Sequence, residues 1–179
     1  MSLKEITKDL HTEAENTKFA KLLLSGNITS EEYLKYLMLM QPIYSLIEIS
    51  AEEQGLLNTI QGIQRSPGIA ADIGELIEGV VQQEFTESLE NYVLYLQELT
   101  SDESRKHLIL AHLYVRHMGD LFGGQFIASK VPGSGKFYEF ENPDELKTAI
   151  RELLTDDLGD EAMVAFQWTI KIMRELGGE

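Results

Sequence analysis

Apolar residues recur along this chain at spacings of three and four rather than two, and that period predicts helices from end to end. Leu3, Ile6, Thr7, Leu10 and Ala14 share one face, with Ser2 placed as an N-cap and Glu5 three residues on to complete a capping box. A second stretch, Phe19–Leu24, stops at Ser25–Gly26. Thr29 or Ser30 then caps a long helix whose stripe is Tyr33, Leu37, Met40, Tyr44 and Ile47. Pro42 lies inside it, where its missing N–H and its ring predict a kink. From Gln54 to Gly68 the period fades and Ser66–Pro67–Gly68 reads as a turn, so a connection with a short helix at most is expected there. Asp72 opens a run through Leu76, Val80, Phe85, Leu89, Tyr92, Val93 and Leu96, and Ser101–Asp102–Glu103 caps the next helix. Val131–Pro132–Gly133–Ser134–Gly135 is a break, and the alternation of Phe137–Phe140 suggests a short extended piece. Asn142–Pro143 starts a helix through Leu146, Ile150 and Leu153, and Gly159 separates it from a last one through Met163, Phe166, Ile170 and Met173. Alternating Val/Ile-rich runs are nearly absent. The expected class is all-α, a multi-helix bundle in one domain over residues 1–179.

One helix breaks its own rules. Between Tyr114 and Gln125 the apolar period continues from Leu108, Leu110 and Ala111 to Phe126, Ile127 and Val131, yet Gly119, Gly123 and Gly124 lie in the middle. Each interior glycine costs about 1 kcal/mol against alanine, so the run gives up roughly 3 kcal/mol of helix propensity. A kink, a close helix contact through Gly119 and Gly123, or a flat ligand against bare backbone would each account for it.

Composition narrows the chemistry. Cysteine is absent, which removes disulfides, thiolate metal sites, cysteine nucleophiles and thiolate-ligated heme. Fifteen basic against thirty acidic residues give a net charge of -15, which repels phosphate backbones and anionic membranes, so no nucleic acid and no membrane are expected as partners. The N-terminus alternates charge and lacks the apolar core of a signal peptide. The longest uncharged run, Tyr36–Ile47, falls well short of the roughly 20 residues of a spanning helix. A soluble, cytoplasmic protein, monomeric, is the expectation.

Protein-borne catalysis finds few candidates. No histidine has an acidic residue three positions before it, as a di-iron bundle requires, and neither a zinc-protease helix nor a dinucleotide fingerprint is present. His107, His112 and His117 are five residues apart, about 140° of helix rotation per step, so they share no metal and read as surface or core-edge residues. His11 differs, because Glu15 lies four residues on, where a carboxylate hydrogen-bonds one ring nitrogen and turns the other to a metal. Such a pair is also an ordinary surface contact, as Arg116 with Asp120 is at the same spacing. A His-bearing helix and a glycine-rich helix together suit a planar macrocycle clamped between them.

Here the chain resembles a known family. Leu3–Lys4–Glu5–Ile6–Thr7–Lys8–Asp9–Leu10–His11–Thr12–Glu13–Ala14–Glu15–Asn16 is similar to the proximal-helix motif of the heme oxygenases, and Tyr114 to Gln125 to their distal-helix signature. The similarity continues through Glu32–Glu48 and Phe137–Leu154. It implies heme b as both substrate and cofactor, His11 as axial ligand with Glu15 behind it, and Gly119, Gly123 and Gly124 along the distal face. Asp120 would hold a distal water network supported by Arg116 and Tyr44 and deliver a proton as O2 is activated. The products implied are biliverdin, carbon monoxide and ferrous iron. Lys4, Tyr114, Lys147 and Arg151 match the positions that hold the two propionates.

Two residues depart from that pattern: Phe122 stands where a small serine is common, and His117 where a tyrosine is frequent. Phe122 either packs into a helix contact or narrows the distal pocket. Without a C-terminal anchor, the chain resembles the soluble type paired with ferredoxin, for which Lys18, Lys21, Lys130, Lys136, Lys147 and Arg151 would form a basic docking patch. A heme carrier that does not degrade its ligand, and a helical enzyme of the same fold with another small substrate, are the competing readings. Asp120 favours the enzyme over the carrier, and His11–Glu15 favours heme over another substrate.

Overall fold

The computed structural model describes residues 2–78 and 85–179, and every regular element among them is helical. The first predicted helix forms in two pieces, α1 (Leu3–Ile6) and α2 (Lys8–Glu15), divided at Thr7, whose hydroxyl turns back to the Leu3 carbonyl at 2.8 Å. The capping box at Ser2 is present in both directions: Glu5 N–H reaches Ser2 Oγ and Ser2 N–H reaches Glu5 Oε2. After α3 (Lys18–Ser25), Thr29 and Glu32 close the same box at the head of α4 (Ser30–Glu53). Pro42 lies in the middle of α4 without interrupting it.

The region read as a connection holds a helix. After a 3₁₀ turn at Leu56–Asn58, α5 (Ser66–Leu76) begins at Ser66–Pro67, with proline in the first turn, where its missing N–H costs nothing. Its first amides are taken by Glu48 of α4, which accepts from Arg65 N at 2.6 Å and Ser66 N at 3.1 Å. Asp72 therefore opens nothing: it sits inside α5, buried, and its carboxylate binds the amides of Lys136 and Phe137. Those residues form a 3₁₀ turn, Lys136–Tyr138, rather than an extended piece. Val80 of the predicted run lies outside the described residues; beyond it α6 (Glu87–Ser101) starts from Thr86 as N-cap.

The centre of the bundle is α4 and α7 (Ile109–Ala128), the latter entered through a 3₁₀ turn at Lys106–Leu108. Both bury residues around much of their circumference, as interior helices do. Tyr33, Leu37, Ile43 and Ile47 of α4 and Ile109 and Leu113 of α7 have no exposed surface, each side chain contributing about 1.5–3 kcal/mol by burial. After α8 (Pro143–Leu153) and a turn at Asp156–Leu158, α9 (Gly159–Leu176) packs against α1, α2, α3, α6 and α7. That helix therefore fixes the His11-bearing α2 and the glycine-bearing α7 to one support.

Candidate functional site

On α2, no residue is buried. His11 is 55% exposed, its Nδ1 3.6 Å from Glu15 Oε2, and its ring meets Phe166 of α9 edge-on at 5.9 Å between centroids. A gap of 3.6 Å exceeds hydrogen-bonding range, so Glu15 biases the ring without locking it. The imidazole makes no hydrogen bond among the described residues, which leaves Nε2 available as a ligand. Among the described residues no group of three or more His, Cys, Asp and Glu could hold a bare metal ion. One imidazole alone suits an iron whose remaining ligands come from a macrocycle.

The three glycines of α7 separate by role. A Cβ built on Gly119 or Gly123 would meet nothing within 4 Å, so neither serves a helix contact in the protein. A Cβ on Gly124 would lie 2.9 Å from Cδ1 of Tyr138, so that glycine admits the Tyr138 ring and does not share the open face. Gly119 and Gly123 are one turn apart, and Phe122 and Phe126, 49% and 60% exposed, flank them at helical spacing. The result is bare backbone bordered by two aromatic rings. Phe122 turns to α8: Lys147 Nζ lies 4.5 Å and the Arg151 guanidinium 5.7 Å from its ring centre. Arg151 also acts electrostatically on half-buried Tyr114, so four of the predicted residues share one edge. Lys4, exposed on α1, has no ion-pair partner among the described residues.

Beside the glycines, on its core side, the same helix is buried and polar. Arg116 and Asp120 are no surface pair: both are buried, and no ion pair joins them among the described residues. Asp120 Oδ2 accepts the Tyr44 hydroxyl at 2.6 Å, the short distance of a charge-assisted bond. Burial raises the Asp120 carboxyl to about 6, against the opposing effects of His117, the Tyr44 hydrogen bond, Arg116 and Arg65. Burial also holds Tyr44 well above the usual phenol range, so Tyr44 remains a donor. Arg116 Nη1 reaches Met40 Sδ at 3.5 Å, and its guanidinium lies over the rings of Tyr92 and Tyr44, 5.1 and 5.9 Å from their centres. Its Nε and Nη2 are buried with no partner among the described residues, a fixed cation with unused donors.

Two histidines read as surface or core-edge prove fully buried and wired to carboxylates. His112 takes a hydrogen bond from Tyr92 Oη at Nδ1 (2.7 Å) and donates from Nε2 to Glu161 (2.8 Å). Burial lowers its pKa, keeping it neutral, while the bonds from His112 and Tyr95 outweigh burial and hold Glu161 ionised. His117 Nε2 lies 2.9 Å from Glu48 Oε1, and its Nδ1 lies 3.1 Å from the Leu113 carbonyl. Only His107 fits its reading, exposed and paired with Asp157. Glu48, Tyr92 and Glu161 carry no local signal, since the partners of their side chains lie 17 to 69 positions away, and Arg65 joins local carbonyls of Gly62 and Ile63 to those of Phe137 and Glu139 across the fold. A buried acidic residue four after Tyr44 on the core side of α4 is the nearest available hint.

Known proteins resemble this chain in sequence and fold. A family model described as heme oxygenase matches residues 1–175. The heme oxygenase of Guillardia theta is 30% identical over 98% of this chain and 85% of its own length. Rabbit heme oxygenase 2 is 31% identical over 97% of the chain, which spans 64% of that relative. Among solved structures, heme oxygenase-1 of the cyanobacterium Synechocystis, in complex with heme, matches with a TM-score of 0.84 at 25% identity, covering 98% of this chain and 90% of that one. The heme oxygenase of Leptospira interrogans, 23% identical with a TM-score of 0.81, covers 98% of this chain and 100% of that one and repeats the fold. A family model over almost the full chain, together with a relative at 30% identity matched along most of its length, establishes that the chain belongs to the heme oxygenase family.

Proposed function

We propose that this protein binds heme b between α2 and α7 and opens it oxidatively to biliverdin, carbon monoxide and ferrous iron. Bare backbone at Gly119 and Gly123, one residue from a buried proton-accepting carboxylate at Asp120, carries the reading. Among the described residues no neighbour comes within 4 Å of a Cβ at either glycine, and a planar ligand gives both a use.

Heme, once bound, supplies the iron that takes up O2 and is itself the molecule oxidised. His11 would hold the heme iron through its imidazole, with the Glu15 carboxylate 3.6 Å from Nδ1 to orient the ring. Gly119 and Gly123 admit the porphyrin face to the main chain. Lys147, Arg151 and Tyr114 at one edge, and Lys4 on α1, hold the propionates, and Phe122 closes that edge beneath Lys147. On the distal side Tyr44 orients Asp120 through its hydroxyl. A carboxyl titrating at about 6 both gives and takes a proton near neutrality, the condition for general acid–base work. Arg116, whose buried guanidinium lies over Tyr44 and Tyr92 near that carboxyl, would support water held by Asp120. An acidic ferredoxin is the proposed electron donor, docking over the basic residues Lys18, Lys21, Lys130, Lys136, Lys147 and Arg151; charge reversal there should raise its KM. Among the described residues no helix is long and apolar enough to cross a membrane. A monomer working in the cytoplasm completes the proposal.

The test is a hemin titration followed at the Soret band, then addition of ferredoxin, its reductase and NADPH in air. Biliverdin and carbon monoxide are expected. A heme complex that survives reduction would replace the enzyme by a carrier, and no Soret shift would remove heme altogether.

A further inference from the structure

His117 stands where the family resemblance leads to a tyrosine, and its surroundings dictate its protonation. The ring is fully buried between two acceptors. The Leu113 carbonyl can only accept, so Nδ1 carries a hydrogen. At 2.9 Å from Nε2, Glu48 Oε1 already accepts the Arg65 amide, while Oε2 accepts the amide and hydroxyl of Ser66. One proton must therefore lie between Nε2 and Oε1. Three other donors already serve the Glu48 carboxylate, and these bonds with His117 outweigh burial and hold Glu48 below its usual range. The proton belongs on the imidazole, and the pair is a buried imidazolium–carboxylate.

That cation sits beside the proposed proton-handling group. His117 and Asp120 are three residues apart on α7, neighbours on its surface. Tyr44 joins them physically, its ring 5.0 Å from the imidazole and its hydroxyl on Asp120. Facing the Asp120 carboxyl are Tyr44 and Tyr36 of α4, Tyr138 of the 3₁₀ turn, Arg65 of the α4–α5 connection, and Arg116 and His117 of its own helix. Facing His117 are Glu48 and Tyr44 of α4.

We propose that His117 is a positioning residue for the Asp120–Tyr44 pair: kept doubly protonated between Leu113 and Glu48, it supplies the buried positive charge beside which Asp120 ionises. The inference rests on the reading of Asp120 as the proton-handling group, and its test involves no heme. Nitrogen-15 NMR of the histidine rings in the ligand-free protein at pH 8, with the His117 signals assigned by H117Q, should show both ring nitrogens of His117 protonated, as its two acceptors require. A ring with one bare nitrogen overturns the proposal. Carbon-13 titration of the Asp120 carboxyl, assigned with D120N, should move its midpoint upward by on the order of one unit in H117Q, and likewise in H117Y, because a neighbouring cation has been lost. An unmoved midpoint in a folded variant also overturns it. The wild-type ring spectrum requires no variant fold to survive. Should the protein fail to open heme, both measurements still read as stated; a half-protonated ring would defeat this inference and leave the heme reading intact.

Discussion

The two helices that would sandwich heme are built on opposite principles. None of the eight residues of α2 is fully buried, only Leu10 and Ala14 pack partly against the core, and the His11–Glu15 pair is loose, 55% and 65% exposed at 3.6 Å. The twenty residues of α7 lie in the centre of the bundle, and Asp120 and His117 on its inner face are held at 2.6 to 3.1 Å. An eight-residue helix is too short to persist alone, so α2 depends on its seat against α9. The half proposed to bind the ligand is thus exposed and loosely paired, while the half proposed to handle protons is buried and hydrogen-bonded without any ligand. This division suits the chemistry, since proton delivery relies on preorganised groups and a metal bond supplies its own ordering energy.

Breaking the two halves separately gives the largest effects. Asp120→Ala is expected to bind heme with normal affinity and lose biliverdin formation by about 10²–10⁴-fold, the range for a positioned acid–base group. His11→Ala is expected to do the reverse: the low-spin ferric spectrum is lost, while ligand-free stability changes by less than about 0.5 kcal/mol because the side chain is exposed. Soret titration, product analysis and urea melts of both variants decide this. A normal biliverdin yield from Asp120→Ala, or a large stability loss in His11→Ala, would reverse the assignment of the two halves.

The buried half also predicts a pH dependence that the exposed half lacks. Asp120 titrates at about 6 in the folded protein against 3.8 ordinarily, so the folded state binds that proton more tightly than the unfolded chain does. The resulting stabilisation is complete below about pH 4 and is lost as pH rises through about 6, a total of about 3 kcal/mol. An asparagine side chain at this position has no proton to release. The stability of Asp120→Asn relative to wild type should therefore grow by about 3 kcal/mol between about pH 4 and pH 8, measured by denaturant melts of the ligand-free protein. A flat difference would mean that the carboxyl is not desolvated.

Glycine replacements separate the two faces of α7 at a smaller scale. Gly124→Ala forces a Cβ to 2.9 Å from the Tyr138 ring and should cost about 1–3 kcal/mol by overpacking. Gly119→Ala meets nothing and should gain about 1 kcal/mol of helix propensity. Heme binding should respond in the opposite sense, weakened by Gly119→Ala and largely kept by Gly124→Ala. Thermal melts beside hemin titrations give both numbers for each variant.

The same contrast explains what can be read in the sequence. Local features are legible: the capping box at Ser2, the cap at Thr29, the helical period, the His11–Glu15 spacing and the anomaly of glycines around Asp120 all lie within a few residues of their causes. Where a distant residue replaces a local signal, the reading fails. The start of α5 carries no capping side chain of its own because Glu48, 17 and 18 positions earlier, takes its amides, and so Ser66–Pro67–Gly68 passes for a turn and Asp72 for a helix start. His112 and His117 pass for surface or core-edge residues because the carboxylates that make their burial tolerable lie 49 and 69 positions away. Gly124 passes for a third member of the Gly119 and Gly123 face because nothing local distinguishes a glycine facing Tyr138 from one facing open space.

The smallest expected effect bears on how soft the exposed half is. If α2 is ordered mainly by the iron bond, Glu15 contributes to heme binding only once the gap to His11 closes, and contributes nothing to the ligand-free fold. Glu15→Gln should then weaken heme binding by about tenfold, the lower end for a residue behind a metal ligand, and leave the ligand-free melt unchanged. It should also lower the electron donation of the imidazole, visible as a lower Fe–His stretching frequency and a more positive iron potential, because Nδ1–H would face an amide in place of a carboxylate. Were Glu15→Gln to shift the ligand-free melt while leaving the potential unmoved, the pair would be a structural element of α2, and the distinction between a half finished by its ligand and a half finished beforehand would not hold.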